Sequence, residues 1–147
     1  MPRWSGRADT PRAMSQENVE IVKAAYEAFA NGGLDRWVEE FAEDVEYRAV
    51  EGAPDDVGPI RGRESLRAYF QDWIDMFDGF WFEAVEVIDA GGDTVVAVER
   101  YGGRAKLSGV ETDQTEWEVF TIRGGKIARC REYGTRDEAL EAAGLSE

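Results

Sequence analysis

The order of patterns along the chain predicts an α+β domain in which helices pack on one face of a curved antiparallel sheet. Three observations carry this. Apolar residues recur at helical spacing in the first part of the chain, the period falls to two after Phe80, and Glu116 to Tyr133 (EWEVFTIRGGKIARCREY) holds two alternating runs joined by Arg123-Gly124-Gly125. Such a pair of runs around a glycine turn is the signature of a β-hairpin.

Taken in order, residues 1–13 (MPRWSGRADTPRA) are polar, hold two prolines and three arginines, and lack periodicity, so they read as a disordered tail. They also lack the apolar core of a secretory signal, and Met14 is an alternative start. The domain is expected to span 14–147. Ser15 reads as an N-cap, Val19, Val22, Tyr26 and Phe29 form one face of a first helix, and Gly32-Gly33 stops it. Leu34, Trp37, Val38 and Phe41 then predict a second, shorter helix. Val45, Tyr47 and Ala49 alternate with polar neighbours and predict a strand. The glycine, proline and aspartate of 51–61 predict a loop able to close over a cavity. From Gly62, the residues Leu66, Tyr69, Phe70, Trp73 and Phe77 give a third helix an aromatic face. Strands follow over FWFEAVEVIDAGG and DTVVAVERYGG, with a short run around Ala105 to Val110 before the hairpin. Thr135 with Glu138 three residues on is a capping box that opens a last short helix, ended by Gly144.

Composition narrows the functions. At 147 residues the chain can bury about two thirds of its surface without staples. Its 17 basic and 31 acidic residues give a net charge of -14, which repels nucleic acid and anionic lipid. No apolar run approaches the roughly 20 residues of a membrane span, and the single Cys130 closes no intrachain disulfide, so a cytoplasmic protein is expected. There is no histidine, which removes the commonest general base and metal ligand. Any catalysis must use carboxylates, tyrosine, arginine or Cys130. No metal or cofactor is expected, since Asp55-Asp56 is a lone pair without the spaced oxygen ligands of a calcium loop.

Within the hairpin, Glu118, Phe120 and Ile122 share one face of the first strand, and Ala128, Cys130 and Glu132 share one face of the second. An acid on a mostly apolar face of each strand suggests a pocket.

The stretches SQENVEIVKAAYEAFANGGLDRWVEEFAEDVEY, IRGRESLRAYF and FTIRGGKIARCREYGTRDEALEAAG closely resemble SnoaL-like members of the nuclear-transport-factor-two-like superfamily. The resemblance covers Met14 to Glu147. It implies a cone-shaped fold whose sheet curls around a blind pocket closed by helices, as a homodimer, but it names no activity, because the superfamily holds cyclases, isomerases, hydrolases and non-enzymatic modules. The ketosteroid isomerase base and tyrosine fall on Ala49 and Ala25, so only the protonated acid, at Glu118, survives. The limonene epoxide hydrolase motifs match Glu99-Arg100-Tyr101-Gly102 and Cys130-Arg131-Glu132-Tyr133, with glycine where one acid should stand. SnoaL-type cyclases pair an aspartate with a histidine. Here Glu132 would have to serve alone.

The reading is therefore a homodimer binding a small apolar or aromatic molecule against Tyr26, Trp37, Tyr47, Tyr69, Trp73 and Cys130. If it is an enzyme, Glu132 transfers the proton, Arg100 orients it or holds an oxyanion, and Glu118 assists, in an isomerase, cyclase or hydrolase reaction without cofactor. The plainer reading pairs Glu132 with Arg100 across the sheet and leaves Glu118 solvated or facing a dimer partner. Cys130 reads as a small buried apolar residue. The alternative function is a non-catalytic ligand-binding or dimerisation module.

Overall fold

The computed structural model describes residues 4–145, with side chains from residue 16 onward. Helix α1 spans Trp4–Trp37. The change of pattern at Met14 is thus no break in the backbone, and Ser15 lies inside the helix rather than capping it; residues 1–3 of the expected tail fall outside the described residues. Gly33, at φ 72° and ψ -161°, bends α1 where Gly32-Gly33 was expected to stop it. Only glycine adopts that φ without strain, so the chain turns there and resumes as a short helical piece. The expected second helix ends early, in a 3-10 turn at Val38–Glu40. Phe41, placed on its apolar face, instead opens strand β1 (Phe41–Arg48), where Phe41, Val45 and Tyr47 are buried.

The 51–61 loop ends in a two-residue strand, β2 (Ile60–Arg61), and α2 (Arg63–Asp75), β3 (Phe77–Asp89), β4 (Thr94–Ala105), β5 (Glu111–Arg123), β6 (Lys126–Tyr133) and α3 (Arg136–Ala142) follow. The run expected as a strand at Ala105 to Val110 is the turn between β4 and β5, and β5 starts five residues before the hairpin motif. Thr135 Oγ1 accepts the backbone N–H of Glu138 at 3.2 Å, so the threonine half of the expected cap forms.

One sheet carries the order β2-β1-β6-β5-β4-β3. It is mixed rather than wholly antiparallel: β1 runs parallel to β6, because the meander brings the last strand back beside the first in the same direction. Register shifts in β3, in β5 and between β1 and β6 mark bulges, which bend strands and raise their twist. The sheet curves, and α1 and α2 pack on its inner face around a core of Val22, Phe41, Val45, Leu66 and Ile127. Helix α3 packs on β5 and β6 instead, with Ala139 and Leu140 buried outside that core. Among the described residues, no helix is long and apolar enough to cross a membrane.

Candidate functional site

Three adjacent strands carry the site. Register sets Glu99 of β4 opposite Glu116 of β5, and Glu118 of β5 opposite Glu132 of β6. Because side chains alternate, all four lean to the inner face. Each offers a carboxylate oxygen within 4.8 Å of the others'. Glu99, Glu118 and Glu132 are 6%, 4% and 5% exposed, while Glu116 is half-buried.

Their partners are neutral donors. The Tyr26 hydroxyl donates to Glu99 Oε1 at 2.8 Å, the Cys130 thiol donates to Glu118 Oε1 at 3.0 Å, and the Tyr47 hydroxyl is turned to Glu132. Among the described residues, no lysine or arginine pairs with any of the four. Burial, joined by the charge of Glu99, pushes Glu132 up to about 8, and burial with the charge of Glu132 pushes Glu116 up to about 8. Burial lifts Glu99 to about 7, held down in part by its hydrogen bonds, and raises Glu118 well above the carboxylate range. Tyr26, Tyr47 and Cys130 are raised in the same way, so all three stay protonated donors. Four like charges this close and this dry do not all ionise. The band therefore holds protons at neutral pH and titrates as a unit.

The glutamates line two neighbouring compartments. The outer chamber, about 410 Å³ counted between all atoms, is lined by Tyr47, Asp55, Trp73 and Tyr101 together with Glu99, Glu116 and Glu132. It opens in part to solvent and is slender. The inner one, about 320 Å³ by the same count, is lined by Tyr26, Trp37, Tyr47, Glu118 and Cys130. The 51–61 loop is anchored by Asp56, which accepts from Arg48 at 3.2 and 3.0 Å and from the N–H groups of Gly52 and Gly58 at 2.9 Å. These donors hold Asp56 far below the usual carboxylate range. The loop thereby turns Asp55 to the chamber, where the Tyr69 hydroxyl donates to its Oδ2 at 3.1 Å.

Glu118, Glu132, Tyr47, Trp73, Tyr26, Trp37 and Cys130 are thus brought to the cavities, and Tyr69 stands behind Asp55, its ring 5.5 Å from Tyr47. Arg100 is not there. It follows Glu99 on β4 and points to the opposite face, donating to Asp113 at 3.1 and 2.5 Å and lying over the Trp81 ring at 5.6 Å. The expected Glu132–Arg100 pair does not form, and Glu118 is neither solvated nor outward. Sequence reasoning missed Glu99, Glu116 and Asp55. Glu116 had a usable signal, since it lies two residues from Glu118 and must share its face. Glycine at 102 is also explained: a Cβ there would sit 1.9 Å from the Thr112 carbonyl oxygen, so the acid of the hydrolase motif has no room.

A curved sheet closed by helices around an acidic, aromatic cavity defines a class of small α+β proteins. Comparison with known families places the chain within that class: it belongs to the SnoaL-like domain family, whose model matches residues 22–130. An uncharacterised protein of Mycobacterium tuberculosis is 32% identical over 126 residues, covering 85% of this chain and 94% of that one. Among solved structures, an NTF2-like protein from Burkholderia thailandensis aligns with TM-score 0.71 at 23% identity, over 87% of this chain and 97% of that one. Another from Burkholderia xenovorans aligns with TM-score 0.64 at 27% identity, over 87% and 95%. The fold is therefore NTF2-like.

Proposed function

We propose that the outer chamber binds a small apolar or aromatic molecule and that the glutamate band moves a proton on it without a cofactor, as an isomerase or cyclase would. One observation carries this reading: neighbouring carboxyls in a buried wall, with Glu132 held to about 8 and Glu99 to about 7 and, among the described residues, no cation to fix their charge. A base and an acid then stand side by side near neutral pH, the condition under which proton transfer to and from carbon is fastest. Glu99, the more readily ionised of the two, takes the proton, Glu132 returns it, and Tyr101, which lines the same chamber, supplies a hydroxyl to steady a developing oxyanion. Arg100, on the outer face, takes no part, and the hydrolase design that needs an arginine loses support.

The experiment is deuterium exchange by NMR at the carbon beside the carbonyl in a panel of small aromatic ketones. The protein should exchange at least one of them faster than free carboxylate at equal concentration, and Glu132→Gln should slow it by about a hundredfold or more, with melting unchanged. Exchange equal in the two proteins sinks the reading.

The slenderness of the chamber favours a second reading, a non-catalytic binding module, which exchange no faster than buffer would support. We also infer a homodimer formed through the outer sheet face, which carries the apolar Trp117 and Val119. Sedimentation should show a dimer that Trp117→Glu dissociates; a monomeric parent protein refutes it. The single, buried Cys130 thiol supports a cytoplasmic location.

A further inference from the structure

Of the thirteen residues lining the outer chamber, seven are aromatic, four are acidic and none is basic. The imbalance holds for every element that faces the glutamates. Helix α1 brings Tyr26, β1 brings Tyr47, the 51–61 loop brings Asp55, and α2 brings Trp73. Strand β3 offers only Phe80 and Phe82, β4 adds Tyr101, and β6 adds Cys130. Each is neutral or acidic. The described arginines nearest in sequence are engaged elsewhere, Arg48 with Asp56, Arg100 with Asp113 and Arg131 with Glu51. A carboxylate or phosphate entering this chamber would meet repulsion in a low dielectric with nothing to offset it.

What the wall complements is a positive charge of low hydration. Magnesium keeps several of its waters and demands octahedral oxygen ligands, whereas more than half of the residues lining this chamber are aromatic. Calcium takes six to eight oxygens, whereas the carboxyls share this lining with seven aromatic residues. The rings lie in one contiguous cluster. Trp73 meets Tyr101 edge to face at 5.3 Å, Phe80 lies 6.4 Å from Tyr101, and Phe80 and Phe82 lie 6.0 Å apart. Such faces attract an alkylated cation, whose carbons fill apolar space while its charge meets the ring quadrupoles.

We propose that the ligand of this chamber carries a small organic ammonium group, its nitrogen against Glu99, Glu116 and Glu132 and its alkyl carbons against Trp73, Phe80 and Tyr101. The proposal rests on reading the outer chamber as a ligand site, and it names the class of ligand without depending on the proton-transfer chemistry. A cation seated there favours ionised carboxyls, so its binding expels protons from the band and tightens as pH rises.

The test is titration calorimetry of the full chain with choline as a quaternary-ammonium probe and with its neutral isostere, 3,3-dimethylbutan-1-ol, each in two buffers of different ionisation enthalpy. Choline should bind about tenfold or more tighter than the alcohol, release protons, and bind more tightly at pH 8.5 than at pH 6.5. Glu116→Gln and Trp73→Leu should each weaken choline several-fold, the former without lowering the melting temperature. Equal binding of the two probes, choline binding without proton release, or no choline binding at millimolar concentration overturns the proposal. Calcium or magnesium binding that excludes choline at lower concentration also overturns it, in favour of a metal site. Choline binding with no ketone exchange keeps the ligand class and removes the chemistry of the preceding section. Ketone exchange with preference for the neutral probe does the reverse.

Discussion

Glu99 and Arg100 are neighbours on one strand, and they stand in opposite electrostatic worlds. On the outer face Arg100 forms a two-pronged pair with Asp113, and Asp113 is held below its ordinary value by that guanidinium. On the inner face Glu99 meets three more carboxyls and no cation, and burial drives it up to about 7. Both faces of the sheet carry acids. What differs is that outside they find arginines and water, whereas inside they find only hydroxyls, a thiol and one another. Acids turned inward store protons; those turned outward are merely solvated or paired.

The largest expected consequence is a stability that falls as pH rises. Glu99, Glu116 and Glu132 have folded-state values near 7 to 8 against about 4.5 when unfolded, so the folded protein binds more protons between those limits. Their contribution is present below pH 4.5 and is lost as pH climbs to about 8. Thermal melting should therefore drop by about 5 °C or more between pH 5.5 and 8.5. Glu118→Gln, which removes one member of the repelling set, should flatten that slope. A melting temperature that rises over this window would break the contrast between the faces.

A smaller effect is expected from Tyr26→Phe. It deletes the donor to Glu99 in the interior and should cost about 1 to 2 kcal/mol, measured by urea unfolding at pH 8, where Glu99 is ionised. At pH 5.5, with Glu99 protonated, the cost should shrink. Smallest of all is Arg100→Ala. Its pair with Asp113 is exposed, so stability should barely move, and any ketone exchange or choline affinity should be that of the parent protein. A loss of ligand binding in that variant would restore the arginine to the chamber and undo the comparison.

Much of this was legible in the residues, and the parts that were not have physical reasons. The hairpin turn at Gly124-Gly125, the loop at 51–61 and the threonine cap at 135 follow from turn and cap chemistry that tertiary packing leaves intact. Phe41 suited both a helical stripe and an alternating strand, and the sheet claimed it because its partner Ile127 lies there. The direction of β1 against β6 depends on where the chain returns, which no local pattern records. In β4 the choice between Glu99 and Arg100 was undetermined, since Val95 and Ala97 on one face and Val96 and Val98 on the other are all buried. With both faces apolar, alternation alone cannot say which neighbour looks inward. Glu132 was placed because β6 carries Arg129 and Arg131 on its other side, and Glu118 because it shares a face with Phe120 and Ile122; their missing cation was invisible, since a sequence lists arginines without saying what they face.

The central claim is that the inner carboxyls share protons near neutral pH. Carbon-13 NMR of protein labelled at glutamate Cδ, titrated from pH 4 to 10, reads it directly. The account predicts a set of resonances, removed or shifted by Glu99→Gln and Glu132→Gln, with midpoints near 7 to 8 that move together when either residue is replaced. If every glutamate titrates near 4.5, with no resonance sensitive to those two substitutions above pH 6, the chamber is wet, its charges are free, and the account is wrong.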